Sequence, residues 1–228
     1  MNGGIVLDLG HLNDTSISAD RRTVRLGAGA TWLHAYDTVP GVLFPGGACS
    51  GTGVGGVSLG GGMSVFLAEV GWVVNSVRNF ELVLASGEVI NANSTHHTAL
   101  YKAMKGGGSN FGVLTHVDVE VMREGGLVYG GQVTHLATPD VTNQLLTNLT
   151  RYVKANNKDP KAGFQVAFLA SDGVILADSL LVYSDPVAGA PILQPFLDIQ
   201  PSLTNTMGMR NMSDITREVN ALQPNGYR

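Results

Sequence analysis

Residues 46 to 62 read GGACSGTGVGGVSLGGG, and nine of these seventeen positions are glycine. No regular element tolerates that density, because glycine loses the most backbone entropy on ordering and weakens a helix by about 1 kcal/mol per residue relative to alanine. The tract must form turns and loops, and something outside it must offset their ordering. One answer is close packing of backbone on backbone. The other is a ligand lying against main-chain N–H groups, which in consecutive turns form concavities suited to a pyrophosphate. A second cluster, Lys105-Gly-Gly-Gly-Ser-Asn-Phe-Gly112, repeats the arrangement at the mouth of a strand.

Within the tract, Gly51-Thr-Gly53-Val-Gly55-Gly56 satisfies G-x-G-x-x-G. A Rossmann fingerprint also needs a hydrophobic strand before it and a long helix after it. Here FPGGACS precedes and VSLGGGMS follows, so a nicotinamide-dependent dehydrogenase is disfavoured. No Walker sequence is present. The chain has 14 Lys+Arg against 18 Asp+Glu, a net charge of −4, which offers no basic field for nucleic acid or anionic lipid. No apolar run approaches the roughly 20 residues that cross a bilayer, and MNGGIVLDLG lacks the layout of a signal peptide. Sequons at Asn13, Asn93, Asn148 and Asn211 are compatible with a secretory origin but also arise by chance, so no location is assigned. Cys49 is the single cysteine, which excludes an intrachain disulfide.

Local pattern assigns most of the remaining chain. GIVLDL (4–9) and TVRLGAG (23–29) predict strands, and TWLHAYDTV predicts two helical turns before Pro40. In RNFELVLASGEVINA two β-rich runs flank Ser86-Gly87, a hairpin signature. Ser94 or Thr95 is placed to cap a helix through HHTALYKAMK that stops at the triple glycine 106–108. From Phe111 the period is two, with Val113, Val117, Val119 and Val121 on one side and His116, Asp118 and Glu120 on the other. That polar side reads as a catalytic cluster or, more commonly, as a hydrated sheet face. Trp32 and Trp72 read as core aromatics, and His96-His97 as solvent-facing residues without partners at metal-ligand spacing, so no metal is expected.

Composition changes at Glu124-Gly125-Gly126, which divides the chain into residues 1–124 and 125–228. Beyond the divide LVYGGQVTHLA predicts a strand and TPDVTNQLLTNLTRYVKANN an amphipathic helix with Leu145, Leu149, Tyr152 and Val153 near one stripe. FQVAFLA and GVILADSLLVYS predict a strand pair, PVAGAPILQPFLDI a helix, and MSDITREVNALQPNGYR a helix starting at Ser213. The order predicts an α+β fold with helices on one face of an antiparallel sheet.

Three stretches, GGACSGTGVGGVSLGGGMS, GWVVNSVRNFELVLASGEVINAN and ALYKAMKGGGSNFGVLTHVDVEV, in this order, resemble the flavin-binding core of the FAD-linked oxidases related to berberine bridge enzyme. These belong to the vanillyl-alcohol-oxidase superfamily and carry a PCMH-type FAD-binding domain. The resemblance runs from about Gly3 to Val121. It implies a partial FAD-binding domain in residues 1–124 and the start of a substrate domain in 125–228. It implies FAD as cofactor, held by Ser50, Gly51, Thr52, Gly53, Gly55, Gly56, Gly61, Gly62 and Asn75, with Gly112 and Val113 near the adenine. Asn75 stands where the family commonly has Asp, which leaves any charge-based contact there open. Cys49 falls where some members attach the flavin through sulfur, a role that neighbouring N–H dipoles would assist by favouring the thiolate. An isolated cysteine is otherwise most often an inert small hydrophobe.

The resemblance further implies a hydride taken from an activated C–H of an alcohol, amine or similar small molecule. It also implies that an N-terminal subdomain with a histidine flavin link, and the rest of the substrate domain, lie outside this chain. No catalytic base is assigned for that reason. Exposed sheet edges would then call for a partner chain or a second copy, and a non-catalytic remnant or interaction module stands as the alternative function.

Overall fold

The computed structural model describes residues 3–155, 158–171 and 173–221. In chain order the first half runs β1 (Thr15–Ile17), β2 (Thr23–Gly27), α1 (Trp32–Thr38), β3 (Val42–Leu43), α2 (Val54–Leu59), α3 (Leu67–Val70), β4 (Val77–Val83), β5 (Val89–Asn93), α4 (Thr98–Met104), β6 (Val113–Glu120) and β7 (Arg123–Glu124). The second half runs β8 (Leu127–Leu136), α5 (Pro139–Ala155), β9 (Ala162–Ser171), β10 (Val174–Tyr183), α6 (Gln194–Leu197), β11 (Thr204–Asn205), β12 (Gly208–Asn211) and α7 (Met212–Ala221).

The first sheet has the order β1-β2-β6-β4-β5, with every pair antiparallel. Its hairpin turns through Leu84 to Glu88, where Gly87 takes φ +85°, a value that glycine reaches without strain. The alternation expected along β6 breaks at Thr115. Glu81 pairs with His116 and Leu82 with Leu114, so Thr115 is an extra residue bulging out of register. Leu114 rather than Val113 therefore joins Val117 and Val119 in the core. The opposite face is an ion network: Arg25 pairs with Glu81 and Asp118, and Arg78 with Glu120. His116 is held between Glu81 at 2.8 Å and Asp14 at 3.1 Å.

Other local expectations meet tertiary limits. Residues 4–9 form no strand; Ile5 and Val6 are 92% and 89% exposed. No strand among the described residues pairs with them, and an extended backbone needs partners for its N–H and C=O groups to count as sheet. Helix α1 starts as expected, with Thr31 Oγ1 accepting from His34 N at 3.2 Å. Helix α4 is not capped by Ser94 or Thr95. Asn93 Oδ1 instead accepts from the N–H groups of Thr95 and His96, and His97 enters the helix at φ 50°. Trp32 is fully buried, whereas Trp72 is half-exposed and lies beside Gly61.

The second sheet has the order β11-β8-β10-β9, with β12 also pairing to β8. Helices α5 and α6 cover one face through Val141, Leu145 and Phe196, with the Phe164 and Phe196 ring centroids 4.2 Å apart. Val153 is 66% exposed and leaves the α5 stripe, because it lies one helical step beyond Tyr152, which packs inward. The helix expected over PVAGAPILQPFLDI shrinks to the single turn α6, which carries Pro195 at its start, where a missing N–H is tolerated.

A further helix, α7, covers the opposite face. Its Ile215 and Val219 share one apolar cluster with Leu180 and Val182 of β10 and with Trp32 and Val54 of the first half. The sheet is thus lined by helices on both sides, since alternate residues of β10 are apolar in each direction. Each fully buried Leu, Ile or Phe in these layers contributes about 1.5–3 kcal/mol, so α7 fixes the second sheet against the first.

Candidate functional site

The tract glycines fall into two groups. A Cβ on Gly46 would stand 2.3 Å from Trp32 Cε3, on Gly55 3.0 Å from the Ala28 carbonyl oxygen, and on Gly62 2.5 Å from Val57 Cγ1. Packing within the chain therefore requires these glycines. Gly61 and Gly62 also take φ of +102° and +73°. Gly51, Gly53 and Gly56 are different: a Cβ there would meet nothing within 4 Å among the described residues, and none has positive φ. Neither conformation nor internal packing demands glycine at these three positions. Their backbone stands open to the space beside it.

Hydrogen bonds pin the loop that carries them. Thr52 N donates to Cys49 O at 3.2 Å, Trp32 N to Thr52 O at 3.0 Å, and Val54 N to Ala30 O at 2.9 Å. The second glycine cluster joins the first where Gly108 N donates to Leu59 O at 3.1 Å. Gly112 is itself a packing glycine, since a Cβ would lie 2.7 Å from the Val83 carbonyl oxygen.

Two cavities flank α2. One, of about 760 Å³, is lined by Gly55, Gly56, Gly112 and Val113 together with Leu9 and Leu84. The other, of about 550 Å³, is lined by Cys49, Thr52 and Ser64 from the first half and by Tyr152, Phe164 and Gln165 from the second. Both fall in the size range of small-molecule sites. Val57 borders one and Gly56 the other, so the tract is the wall between them.

The remaining expected residues occupy distinct places. Cys49 is half-buried at the edge of the main core and faces the 550 Å³ cavity. Ser50 is buried beside it. The carbonyls of Gly61 and Gly62 accept from Val74 N and Val73 N at 2.9 Å each, which anchors the turn that follows. Asn75 stands apart, in a polar cleft with Glu69, Arg78 and Glu120, where its side chain packs under Gly71. Tyr152, Phe164 and Gln165 carry no local signal, because they reach Cys49 only through the docking of the second sheet. Tyr152 OH donates to Ala162 O at 2.6 Å, and burial, with the nearby Asp159 charge, pushes the phenol up to about 12. It remains protonated at neutral pH.

The fold thus sets an open glycine tract between two cavities, in a mixed helix and sheet body joined to a second antiparallel sheet. The FAD binding domain family matches residues 1–93. The chain is 32% identical over 235 residues to the FAD-dependent monooxygenase sdcF of Emericella nidulans, covering 100% of this chain and 48% of that protein. It is 30% identical to the FAD-dependent monooxygenase tpcD of Cochliobolus heterostrophus, covering 100% and 45%. Among solved structures, 6-hydroxy-D-nicotine oxidase from Arthrobacter nicotinovorans superposes with a TM-score of 0.84 at 21% identity, over 100% of this chain and 50% of that one. A variant of berberine bridge enzyme superposes with a TM-score of 0.76 at 18% identity, over 94% and 44%. Residues 1–93 match the FAD binding domain family, the chain shares the fold of berberine bridge enzyme and 6-hydroxy-D-nicotine oxidase, and FAD is the cofactor of that domain. It spans about half the length of the relatives it matches.

Proposed function

We propose that this chain holds FAD along the glycine tract and presents it to a small organic substrate from which hydride is taken at an activated C–H bond of an alcohol, amine or similar group. The observation that carries this reading is the open backbone at Gly51, Gly53 and Gly56, glycines that no contact among the described residues requires. The N–H groups of this stretch would hold the pyrophosphate, with the adenine end by Gly112 and Val113 and the reactive ring by Cys49. Bound there, FAD supplies the two-electron chemistry; the protein supplies position and exclusion of water. Tyr152, Phe164 and Gln165 close the Cys49 cavity from the second sheet, so a substrate would meet residues of both halves.

Cys49 Sγ is the atom proposed to carry a covalent link. Cys49 would hold the cofactor by exchanging its S–H and one ring C–H for a C–S bond, with the two protons released and the two electrons passing finally to an acceptor such as dioxygen. The test is purification of the chain with FAD. Yellow colour retained after acid precipitation, with the flavin mass on the peptide containing Cys49, is the expected result. Cys49→Ala should retain FAD but release it on precipitation. A flavin mass on any other peptide sinks the link, and a folded chain that ignores FAD sinks the whole reading.

A further inference from the structure

Beyond the Cys49 cavity, the sheet face turned toward α7 carries a polar strip that the proposed flavin role does not use. Asp178, in the middle of β10, is 5% exposed. Its Oδ1 accepts from Thr134 Oγ1 at 2.7 Å and its Oδ2 from Gln132 Nε2 at 2.6 Å. Both donors are neutral, and among the described residues no Lys or Arg forms an ion pair with it. Burial pushes the carboxyl above its ordinary value in spite of these two bonds. Buried carboxylates normally have a cationic partner, and this one has only half of its lone pairs engaged.

The carboxylate borders a cavity of about 50 Å³ whose described walls include Gln132, Gln165, Ala167 and Val219. One water needs about 10–15 Å³ by such a measure, so the space admits a group of roughly three non-hydrogen atoms. Gln165 lines both this cavity and the one at Cys49. Gln165 is thus the residue that the small cavity at Asp178 has in common with the cavity at Cys49.

We propose that Asp178, with Gln132 and Gln165, is a recognition subsite for a protonated amine carried by the substrate. The inference rests on the flavin reading for its placement and deepens it by naming a substrate class. An ammonium group supplies the positive charge that this carboxylate lacks, fits the volume, and can donate to the side-chain oxygens of both glutamines. A neutral hydroxyl would fill the space without balancing the charge. Asp178 is a binding residue in this account, with no assigned step in bond breaking.

The test is calorimetric titration of the full chain, loaded with FAD, using ethylammonium chloride as probe and ethanol and propionate as comparisons. Ethylammonium should bind, Asp178→Asn should weaken it by about tenfold or more, and neither comparison compound should compete. Ala167→Leu, which fills the cavity and keeps the carboxylate, should also abolish binding and decides the matter if the Asn variant does not fold. Absence of ethylammonium binding, equal binding in either folded variant, or equal binding of ethanol overturns the subsite. Flavin loading is read separately from colour. A yellow protein that ignores ethylammonium removes the subsite alone, whereas a colourless protein that still binds it removes the flavin reading and leaves the subsite.

Discussion

Gly163 of β9 lies against Val65 so closely that a Cβ on the glycine would stand 1.9 Å from the Val65 carbonyl oxygen. This contact sets how near the second sheet comes to the chain just after the glycine tract. Gly163→Ala should push the two apart. Since backbone rather than a flexible side chain stands in the way, the expected loss is about 1–3 kcal/mol in denaturant unfolding, together with weaker flavin retention. Unchanged stability and retention would show that the sheet moves freely against the loop.

Substitution of the open glycines should separate folding from cofactor binding. Gly56→Ala places a better helix former in α2 with empty space around its methyl, and stability without FAD should hold or rise by up to about 1 kcal/mol. Affinity for FAD should fall by about tenfold or more at Gly51→Ala, Gly53→Ala and Gly56→Ala, measured by fluorescence titration. Equal loss of stability and affinity would indicate a purely structural tract.

Acid unfolding should report the polar face of the first sheet. Burial tends to raise the Glu81 carboxyl, but hydrogen bonds from Thr115, His116 and Arg25 outweigh it and hold the group at about 2, below its ordinary 4.5. A carboxylate depressed on folding stabilises the protein above its unfolded value, and that stabilisation is lost as pH falls through the folded one. Stability should therefore drop between about pH 4.5 and 2, with a contribution on the order of a few kcal/mol. Glu81→Gln should flatten this limb in urea midpoints taken across the range; an unaltered acid limb would remove Glu81 from the account.

The joint between the halves should prove apolar rather than ionic. Arg217 of α7 reaches both carboxylate oxygens of Asp37 in α1 at 2.6 and 2.7 Å, but the two side chains are 51% and 35% exposed. Arg217→Ala should cost under about 1 kcal/mol, and less at high salt. Ile215→Ala, at a fully buried position against Val182 and Gly130, should cost about 2–5 kcal/mol. Reversed magnitudes would make the ion pair the principal tie.

What the sequence by itself determined was local: the turn at Ser86-Gly87, the two helical turns of α1, the amphipathic α5, and glycine tracts too dense for any regular element. Glycine freedom and apolar period act within a few residues, so they are readable without a fold. The resemblance added the cofactor and the domain type. Tertiary structure decided whatever depends on a distant partner. Residues 4–9 have a strand's pattern but no strand among the described residues pairs with them, Thr115 slips the alternation of β6, and α7 adds a helix to the second face of a sheet expected to carry helices on one. It alone divided the glycines into those forced by Trp32, Ala28 or Val57 and those left open. It also brought Tyr152, Phe164 and Gln165 to Cys49 across about a hundred residues, because burial of the α7 face fixes the second sheet in place and no local preference encodes that docking.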